Sequence, residues 1–381
     1  MGRKFWSLLL AALLLLGMLP RAEAVDLELK APSCILMDAA TGTILYEVNA
    51  HERLAPASVT KVMTLLLVME AIDSGRLSWD DKVTASEAAA AKGGSQVYLK
   101  VGETMTVSDM VKAVAVASAN DCACALAEHL AGSEQGFVEL MNQRAAELGM
   151  EDTHFVNCTG LDDGENASEH LTSAYDIAIM SRELLMNHPD IKQYTTIWMD
   201  TLRVGAFGLS NTNKLVRFYE GATGLKTGFT RSAGYCLSAS ALRDGLELIA
   251  VVLKCETTQD RFESAKALLN YGFATYALAD AAQDVEIPEI SVKLGTENTV
   301  QPVLQGDTRV LTQKGAAVEV WLDLPEELTA PIGAGQALGT LTATVNGEVV
   351  GQYPLISETD IPRLTWLDLA VEMVKKLCMV G

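Results

Sequence analysis

The stretch SVTKVMTLLLVMEAIDSG, residues 58 to 75, constrains the fold of this chain more than any other. It lacks the alternation of a strand, is rich in Leu and Met, and ends in Ser-Gly, a pattern that predicts a helix. Because this helix is apolar on nearly every side, it must be buried in a large core. A lysine, Lys61, nevertheless stands in its first turn. Burying a charged amine costs free energy, so a lysine in this position indicates a function.

Ser58 precedes Lys61 by three residues, so the two side chains share one face of the predicted helix. A serine hydroxyl needs a base to act as a nucleophile at neutral pH. Burial lowers the pKa of a lysine by up to about 3–5 units, and the neutral amine then accepts the proton of the hydroxyl. The helix N-terminus favours negative charge that develops nearby. The alternative is a helix-capping serine followed by a lysine that extends to the surface.

Ser118 and Asn120 lie where two predicted helices meet. In the first of these helices, Thr106 and Asp109 have the spacing of a capping box. A hydroxyl at position 118 can pass a proton to a leaving amine, and the amide at position 120 can hold Lys61 or a substrate carbonyl. Helix capping is the alternative for both residues.

The tripeptide Lys226-Thr227-Gly228 begins a predicted strand. Its lysine supplies positive charge for a substrate carboxylate, its threonine a hydroxyl donor, and its glycine room for a substrate backbone. The backbone N–H of the next residue, Phe229, is a candidate partner for that of Ser58 in an oxyanion hole. An ordinary strand start is the alternative.

The segment from about residue 30 to 278 has strands at both ends and helices between them. It begins with a hairpin in CILMDAATGTILYEVNA, includes a helix in TSAYDIAIMSRELLMN, returns to strands with a turn at Arg-Asp-Gly, and closes with a helix in RFESAKALLNYGFATYAL. This order predicts an α+β domain whose sheet joins both ends of the segment. From about residue 284, short alternating segments and the turn Asn346-Gly347 predict a small all-β domain.

The final stretch, DIPRLTWLDLAVEMVKKLCMVG, predicts an amphipathic helix with Leu367, Val371 and Val374 on one face and Asp368 and Glu372 opposite. It is too polar to span a membrane. We therefore expect the helix to lie on a membrane surface, and docking on the β domain is the alternative.

The first 24 residues are typical of a secretory signal peptide, with the positive start MGRK, an apolar tract and the cleavage pattern AEA. An uncleaved anchor is the alternative, and either way we expect an exported protein.

The formal charge of −20 argues against nucleic acid as a partner. Seven cysteines without regular spacing predict buried thiols rather than a disulfide framework. Five histidines without ligand spacing, and a Cys122-x-Cys124 pair without zinc partners, predict no metal, and we expect no cofactor.

Ser-x-x-Lys, Ser-x-Asn and Lys-Thr-Gly, in this order, form the motif set of penicillin-binding proteins and class A β-lactamases. With GGSQVYLKVGE, THFVNCTGLDD and TGLKTGFT, the chain resembles a low-molecular-mass penicillin-binding protein, a serine-type D-alanyl-D-alanine carboxypeptidase, over nearly its whole length. The resemblance implies a signal peptide (1–24), a β-lactamase/transpeptidase-like catalytic domain (25–280), a small β domain (284–356) and a membrane-associated helix (358–381).

The resemblance also implies an activity and its location. The enzyme would act at the outer face of the bacterial cytoplasmic membrane and remove the terminal D-alanine from peptidoglycan pentapeptide stems, with β-lactam antibiotics as covalent inhibitors. Ser58 would be the acylated nucleophile and Lys61 its base. Residues implied in proton transfer and substrate binding are Ser118, Asn120, Lys226, Thr227, Gly228 and Phe229. Arg261 matches an arginine near the substrate carboxylate in similar enzymes, and a surface arginine paired with Asp260 or Glu263 is the alternative.

Three other functions are alternatives to the carboxypeptidase. A class A β-lactamase has Asp where this chain has Ala119, and it needs a glutamate in a Glu-x-x-Leu-Asn loop for deacylation. The segment ELLMN, which starts at Glu183, matches that loop only in part, and we interpret Glu183 as an exposed helix residue. A non-catalytic protein that binds cell wall or β-lactams is disfavoured because all three motifs are intact. An endopeptidase that acts on cross-links would carry the same motifs.

Overall fold

The computed structural model of the chain describes residues 27–164 and 166–377, so the predicted signal peptide lies outside the described residues. The elements up to residue 280 are, in chain order, β1 (Ser33–Asp38), β2 (Ile44–Val48), α1 (Lys61–Asp73), β3 (Lys82–Thr84), α2 (Glu87–Ala90), β4 (Thr104–Thr106), α3 (Val107–Ala117), α4 (Asn120–Ala131), α5 (Glu134–Glu147), α6 (Ala174–Asn187), α7 (Lys192–Thr195), β5 (Met199–Leu202), β6 (Phe207–Ser210), α8 (Leu215–Phe218), β7 (Ala222–Thr230), β8 (Gly234–Arg243), β9 (Leu246–Cys255), α9 (Thr258–Thr275) and β10 (Tyr276–Asp280). Short 3₁₀ turns are formed by Ala57–Thr60, Ala167–Glu169 and Pro189–Ile191.

A five-stranded antiparallel sheet, in the order β2-β1-β9-β8-β7, forms the centre of this part of the chain. Because β1 pairs with β9, the sheet joins the two ends of the segment, as predicted. Ile35 and Met37 pack into a core on one face of the sheet, and Cys34 and Leu36 pack into a core on the other face. Helix α6 contacts the sheet at the first core and α9 at the second, so β1 is buried throughout.

Helix α1 lies in the larger core, where Val62, Leu66 and Met69 have no exposed surface. It contacts α4 and α6 and is preceded by the 3₁₀ turn Ala57–Thr60. The prediction of a buried helix, made from its all-round apolar sequence, is therefore confirmed. The neighbouring elements bury the polar residues at its start together with the apolar ones.

Of the predicted boundaries near the polar motifs, the helix junction at Ser118 is confirmed and the other two are shifted. Ser58 lies in the 3₁₀ turn before α1 rather than in the helix itself. Lys226 is the fifth residue of β7, because pairing with β8 extends this strand back to Ala222. Helix α3 ends at Ala117 and α4 begins at Asn120. The Thr106 hydroxyl caps α3 by accepting the Asp109 N–H at 3.0 Å. The closing helix is shorter than predicted, because residues 276–280 leave α9 and form β10, which pairs with a strand of the C-terminal region.

The C-terminal region contains β11 (Ile290–Lys293), β12 (Thr299–Val300), β13 (Val303–Leu304), β14 (Arg309–Gln313), β15 (Val318–Asp323), β16 (Glu327–Thr329), β17 (Ala337–Val345), β18 (Glu348–Ile356) and α10 (Trp366–Leu377). The strands form small sheets in the orders β10-β14, β12-β11-β16 and β13-β18-β17-β15. The predicted turn Asn346-Gly347 joins β17 to β18 with φ angles of +52° and +83°. The exact domain limits stay predictions.

Helix α10 exposes its apolar side chains. Trp366 is 79 % exposed, Leu367 56 % and Val374 59 %. The alternative in which these side chains dock on the β strands is therefore wrong. No helix among the described residues is long and apolar enough to cross a membrane.

Candidate active site

Ser58 and Lys61 meet at the entrance to α1. The Lys61 amine donates hydrogen bonds to Ser58 Oγ at 2.9 Å and to the carbonyl of Thr159 at 2.7 Å. Lys61 has no exposed surface. Burial lowers its pKa to about 7, although the nearby Cys158 and Asp121 act in the opposite direction. A substantial fraction of the amine is therefore neutral near pH 7 and can accept the serine proton.

Thr60 and Gly160 stabilise the 3₁₀ turn that carries Ser58. Ala57 has φ of +49°, a left-handed conformation uncommon for a residue with a Cβ. The Thr60 hydroxyl donates to the Ala57 carbonyl at 2.8 Å. Gly160 packs directly against this turn: a Cβ there would lie 1.8 Å from the Ala57 oxygen and 2.7 Å from Thr60 Oγ1. Only glycine leaves room for the turn in this position.

His170 completes the support of the turn. Its Nε2 lies 2.7 Å from the Thr60 hydroxyl, and its Nδ1 accepts the Val156 N–H at 3.0 Å. Burial lowers the pKa of His170 to about 4, so the ring is neutral near pH 7. With Nδ1 accepting, the ring proton lies on Nε2 and is donated to Thr60. Sequence reasoning missed Thr159, Gly160 and His170, and the first two were noted only within the quoted stretch THFVNCTGLDD.

Ser118 and Asn120 each contribute one buried polar oxygen to the site. Ser118 adopts a left-handed conformation, φ +62°, between α3 and α4. The Asn120 amide donates to the carbonyl of Gly93 at 2.7 Å, and its backbone N–H donates to Ser95. Ser118 Oγ and Asn120 Oδ1 are buried and make no hydrogen bond within the described chain. Such atoms are rare in folded proteins, so both are available to a ligand.

Strand β7 brings Lys226 and Thr227 to the same site. The Lys226 amine is buried and donates to the carbonyl of Thr227 at 2.9 Å. Burial, with the like charges of Lys61 and Arg261, holds the pKa of Lys226 well below its usual value. The hydroxyl of Thr227 donates to that of Thr212 at 2.7 Å, a partner that the sequence did not reveal.

Gly228 lies where β7 meets the turn of Ser58. A Cβ at Gly228 would approach the Pro56 oxygen to 2.6 Å and the Ser58 backbone nitrogen to 3.1 Å. The strand and the turn are thus in backbone contact, as the predicted pairing of N–H groups from Ser58 and Phe229 requires. The Phe229 side chain is 52 % exposed and packs on Tyr235 with ring centroids 4.3 Å apart.

Arg261 is buried rather than exposed. Its Nη1 donates to the carbonyls of Gly228 at 3.2 Å and Cys236 at 3.4 Å, and its Nε has no partner among the described residues. Asp260 instead pairs with Lys30. The alternative of a surface arginine in an ion pair is therefore wrong. Arg261 supports β7 directly behind the tripeptide, and its action on a substrate carboxylate stays a prediction.

Comparison with known proteins identifies the family. Residues 20–257 match the family model described as D-alanyl-D-alanine carboxypeptidase. The chain belongs to this family. Residues 273–363 match the model of the C-terminal domain of penicillin-binding protein 5.

Individual relatives of the carboxypeptidase family cover most of the chain. It is 39 % identical over 375 residues to the D-alanyl-D-alanine carboxypeptidase DacF of Bacillus subtilis, with 95 % of each chain covered. The structure of penicillin-binding protein 5 from Haemophilus influenzae is similar with a TM-score of 0.71 at 30 % identity, covering 88 % of this chain and 98 % of that one. Penicillin-binding protein D2 from Listeria monocytogenes in its ampicillin-bound form has a TM-score of 0.60 at 35 % identity, covering 65 % of this chain and 100 % of that one.

The contact between Gly160 and the Ser58 turn gives a first prediction. Replacing Gly160 with alanine forces the backbone apart and strains a position with φ of +79°, so we expect a loss of about 2 kcal/mol or more in the free energy of unfolding. Gly164→Ala is the matched control, since nothing lies within 4 Å of a Cβ there, and it should change stability by less than about 0.5 kcal/mol. Urea unfolding of both variants measures the difference, and equal stabilities would contradict the packing described.

Proposed function

We propose that this member of the carboxypeptidase family removes the terminal D-alanine from peptidoglycan pentapeptide stems through an acyl-enzyme on Ser58. The observation that carries the proposal is the 2.9 Å hydrogen bond between Ser58 and a fully buried Lys61 whose pKa is lowered to about 7. Family membership supplies the reaction class. Ser58 and Lys61 supply a nucleophile and a base in hydrogen-bond contact.

In the proposed reaction, Lys61 takes the proton of Ser58 as Oγ attacks the carbonyl carbon of the penultimate D-alanine. The negative oxygen of the tetrahedral intermediate accepts hydrogen bonds from the backbone N–H groups of Ser58 and Phe229. Ser118 passes a proton to the leaving amine of the terminal D-alanine, and Asn120 positions the substrate. Water then hydrolyses the ester and releases the shortened stem.

The cationic residues support recognition of a terminal carboxylate. Lys226 and Arg261 are both buried, and their hydrogen bonds go to backbone carbonyls. No carboxylate pairs with either side chain in the part of the chain that the structure describes. Buried cations without a counter-ion are costly. A substrate carboxylate held by Lys226 and Thr227 would supply that counter-ion and raise the pKa of Lys226 toward its usual value.

The surroundings of Glu183 disfavour the β-lactamase alternative. Glu183 is mostly buried, not exposed as expected, and accepts a hydrogen bond from Arg144 at 2.7 Å. The same arginine binds Glu70, which follows Lys61 by nine residues and therefore lies about 13 Å further along α1. Glu183 thus belongs to an ion-pair cluster at the far end of the helix, away from the water that would deacylate Ser58.

The exposed apolar face of α10 supports a location on a membrane surface. We propose that the enzyme is exported and that this helix holds it at the outer face of the cytoplasmic membrane, with the catalytic region (25–280) and the β region (284–356) outside. Trp366, Leu367, Val371 and Val374 are all exposed, and such a face gains free energy by entering the interface of a bilayer.

Substitution of the nucleophile tests the reaction. Ser58→Ala should abolish both the covalent adduct with a fluorescent penicillin and the release of D-alanine from a pentapeptide, because no other group in this position can be acylated. Circular dichroism checks that the variant is folded. A persistent adduct would show that another residue is the nucleophile.

The wild-type enzyme separates the alternatives in the same assay. A carboxypeptidase forms a slowly cleared adduct and releases D-alanine, and a β-lactamase clears the adduct quickly. A binding protein releases nothing from the peptide.

Truncation tests the membrane proposal. The cut must leave Ile361 in place, because this residue is 2 % exposed and packs in a core of the β region. Deletion of residues 366–381 should move the processed enzyme from the membrane to the soluble fraction with unchanged turnover of a soluble pentapeptide. Trp366→Ala with Leu367→Ser in the full chain should weaken vesicle binding in the same direction. Continued sedimentation of the processed, truncated form with membranes would contradict the proposal.

A further inference from the structure

A second polar cluster lies behind the Ser58 site and takes no part in the reaction above. Cys124 on α4, Glu134 at the start of α5 and Cys158 in the following loop place one donor atom each within 4.8 Å of one another. Both thiols are fully buried. The side chains of Glu134 and Lys92 are 24 % and 23 % exposed, so the cluster opens to solvent through these two residues.

We propose that Cys124, Glu134 and Cys158 form a binding site for a thiophilic divalent cation such as Zn²⁺. The sulfur of Cys158 lies 3.3 Å from Glu134 Oε1, and the sulfur of Cys124 lies 3.9 Å from Oε2. Tetrahedral zinc, with Zn–S near 2.3 Å and Zn–O near 2.0 Å, holds sulfur and oxygen about 3.5 Å apart. The ligands therefore need only small movements, and a water molecule completes the tetrahedron. Both thiol protons leave to solvent as the metal binds.

The amine of Lys92 would compete with a metal ion for Glu134. Its amine lies 2.5 Å from Glu134 Oε2 and compensates the negative charge of the carboxylate. A metal at the cluster takes over this role, and Lys92 must turn away to the solvent side. Removal of the Lys92 amine should therefore strengthen metal binding. If the ion pair with Glu134 only stabilised the fold around the cluster, its removal would weaken metal binding instead.

The cluster adjoins two segments that hold the active site. The backbone carbonyl of Cys158 accepts a hydrogen bond from the Thr64 hydroxyl of α1 at 2.7 Å. Cys158 also directly precedes Thr159, whose carbonyl holds Lys61. Lys92 directly precedes Gly93, whose carbonyl holds the Asn120 amide. The ligands come from positions 124, 134 and 158, which have no recognisable zinc spacing. For this reason sequence analysis predicted no metal, and the proposal departs from that prediction.

Cobalt, as a spectroscopic substitute for zinc, tests the site in the purified full chain after treatment with a chelator. We expect one equivalent of Co²⁺ to produce sulfur-to-cobalt charge-transfer absorption in the near ultraviolet, which Zn²⁺ abolishes by displacement. Cys124→Ala and Cys158→Ala should lose this absorption. Cys122→Ala is the matched control, since it removes a buried thiol of the same helix outside the cluster and should keep the absorption. Lys92→Met should bind Co²⁺ about tenfold more tightly, and Glu134→Gln about tenfold more weakly.

Several results would overturn the proposal. These are the absence of the absorption in the wild type, its survival in both cysteine variants, or weaker binding in Lys92→Met. The thiols of the denatured chain, purified without reductant, can also be counted. If two of the seven cysteines are not free and become free on reduction, Cys124 and Cys158 form a disulfide instead of a metal site. Where a cysteine variant fails to fold by circular dichroism, the opposite shifts of Lys92→Met and Glu134→Gln decide the question.

Discussion

The structure around Ser58 depends on one buried amine. Lys61 can act as a base near neutral pH only if its charge is disfavoured, and burial is the largest cause of its lowered pKa. This requirement explains why α1 is apolar on nearly every side and why it lies inside the larger core. The sheet, with covered faces on both sides, supplies the core that a helix of this kind needs. In the proposed reaction, the burial of Lys61 therefore links the architecture to the chemistry.

Three buried basic side chains lie close together in the site. Lys61, Lys226 and Arg261 lie near enough for the charges of Lys61 and Arg261 to lower the pKa of Lys226. A bound carboxylate would offset this repulsion and stabilise the protonated form of Lys226. Binding and chemistry are therefore coupled in the proposed function, because a substrate that lacks the carboxylate leaves the cationic site uncompensated.

Local patterns in the sequence were sufficient to predict Ser58 with Lys61, the junction at Ser118 and a strand at Lys226, although that strand begins earlier, at Ala222. Each of these depends on residues within a few positions of one another, where helix and strand geometry determine the neighbours. The central sheet also followed from the order of the elements. The residues that contact Lys61 and the Ser58 turn from distant parts of the sequence could not be predicted in this way.

Thr159 binds the Lys61 amine and His170 binds Thr60 of the Ser58 turn, each across about a hundred residues of sequence. No periodic pattern in the sequence indicates such contacts. The acidic neighbours Asp260 and Glu263 left a surface ion pair open as the alternative for Arg261, and only packing against β7 shows that this arginine is buried. The end of α9 was misplaced because tertiary pairing with β14 overrides the helical pattern at residue 276. The cysteine and glutamate cluster likewise exists only after folding.

The ionisation of Lys61 in the resting enzyme tests the central claim most directly. Nuclear magnetic resonance of the chain labelled with ¹³C-lysine, with the signal assigned through Lys61→Arg, gives the pKa of this amine. The account predicts a titration midpoint near pH 7, as its burial requires, and acylation of Ser58 that slows in parallel as pH falls below that midpoint. An amine that stays protonated to about pH 10, like an exposed lysine, would contradict it.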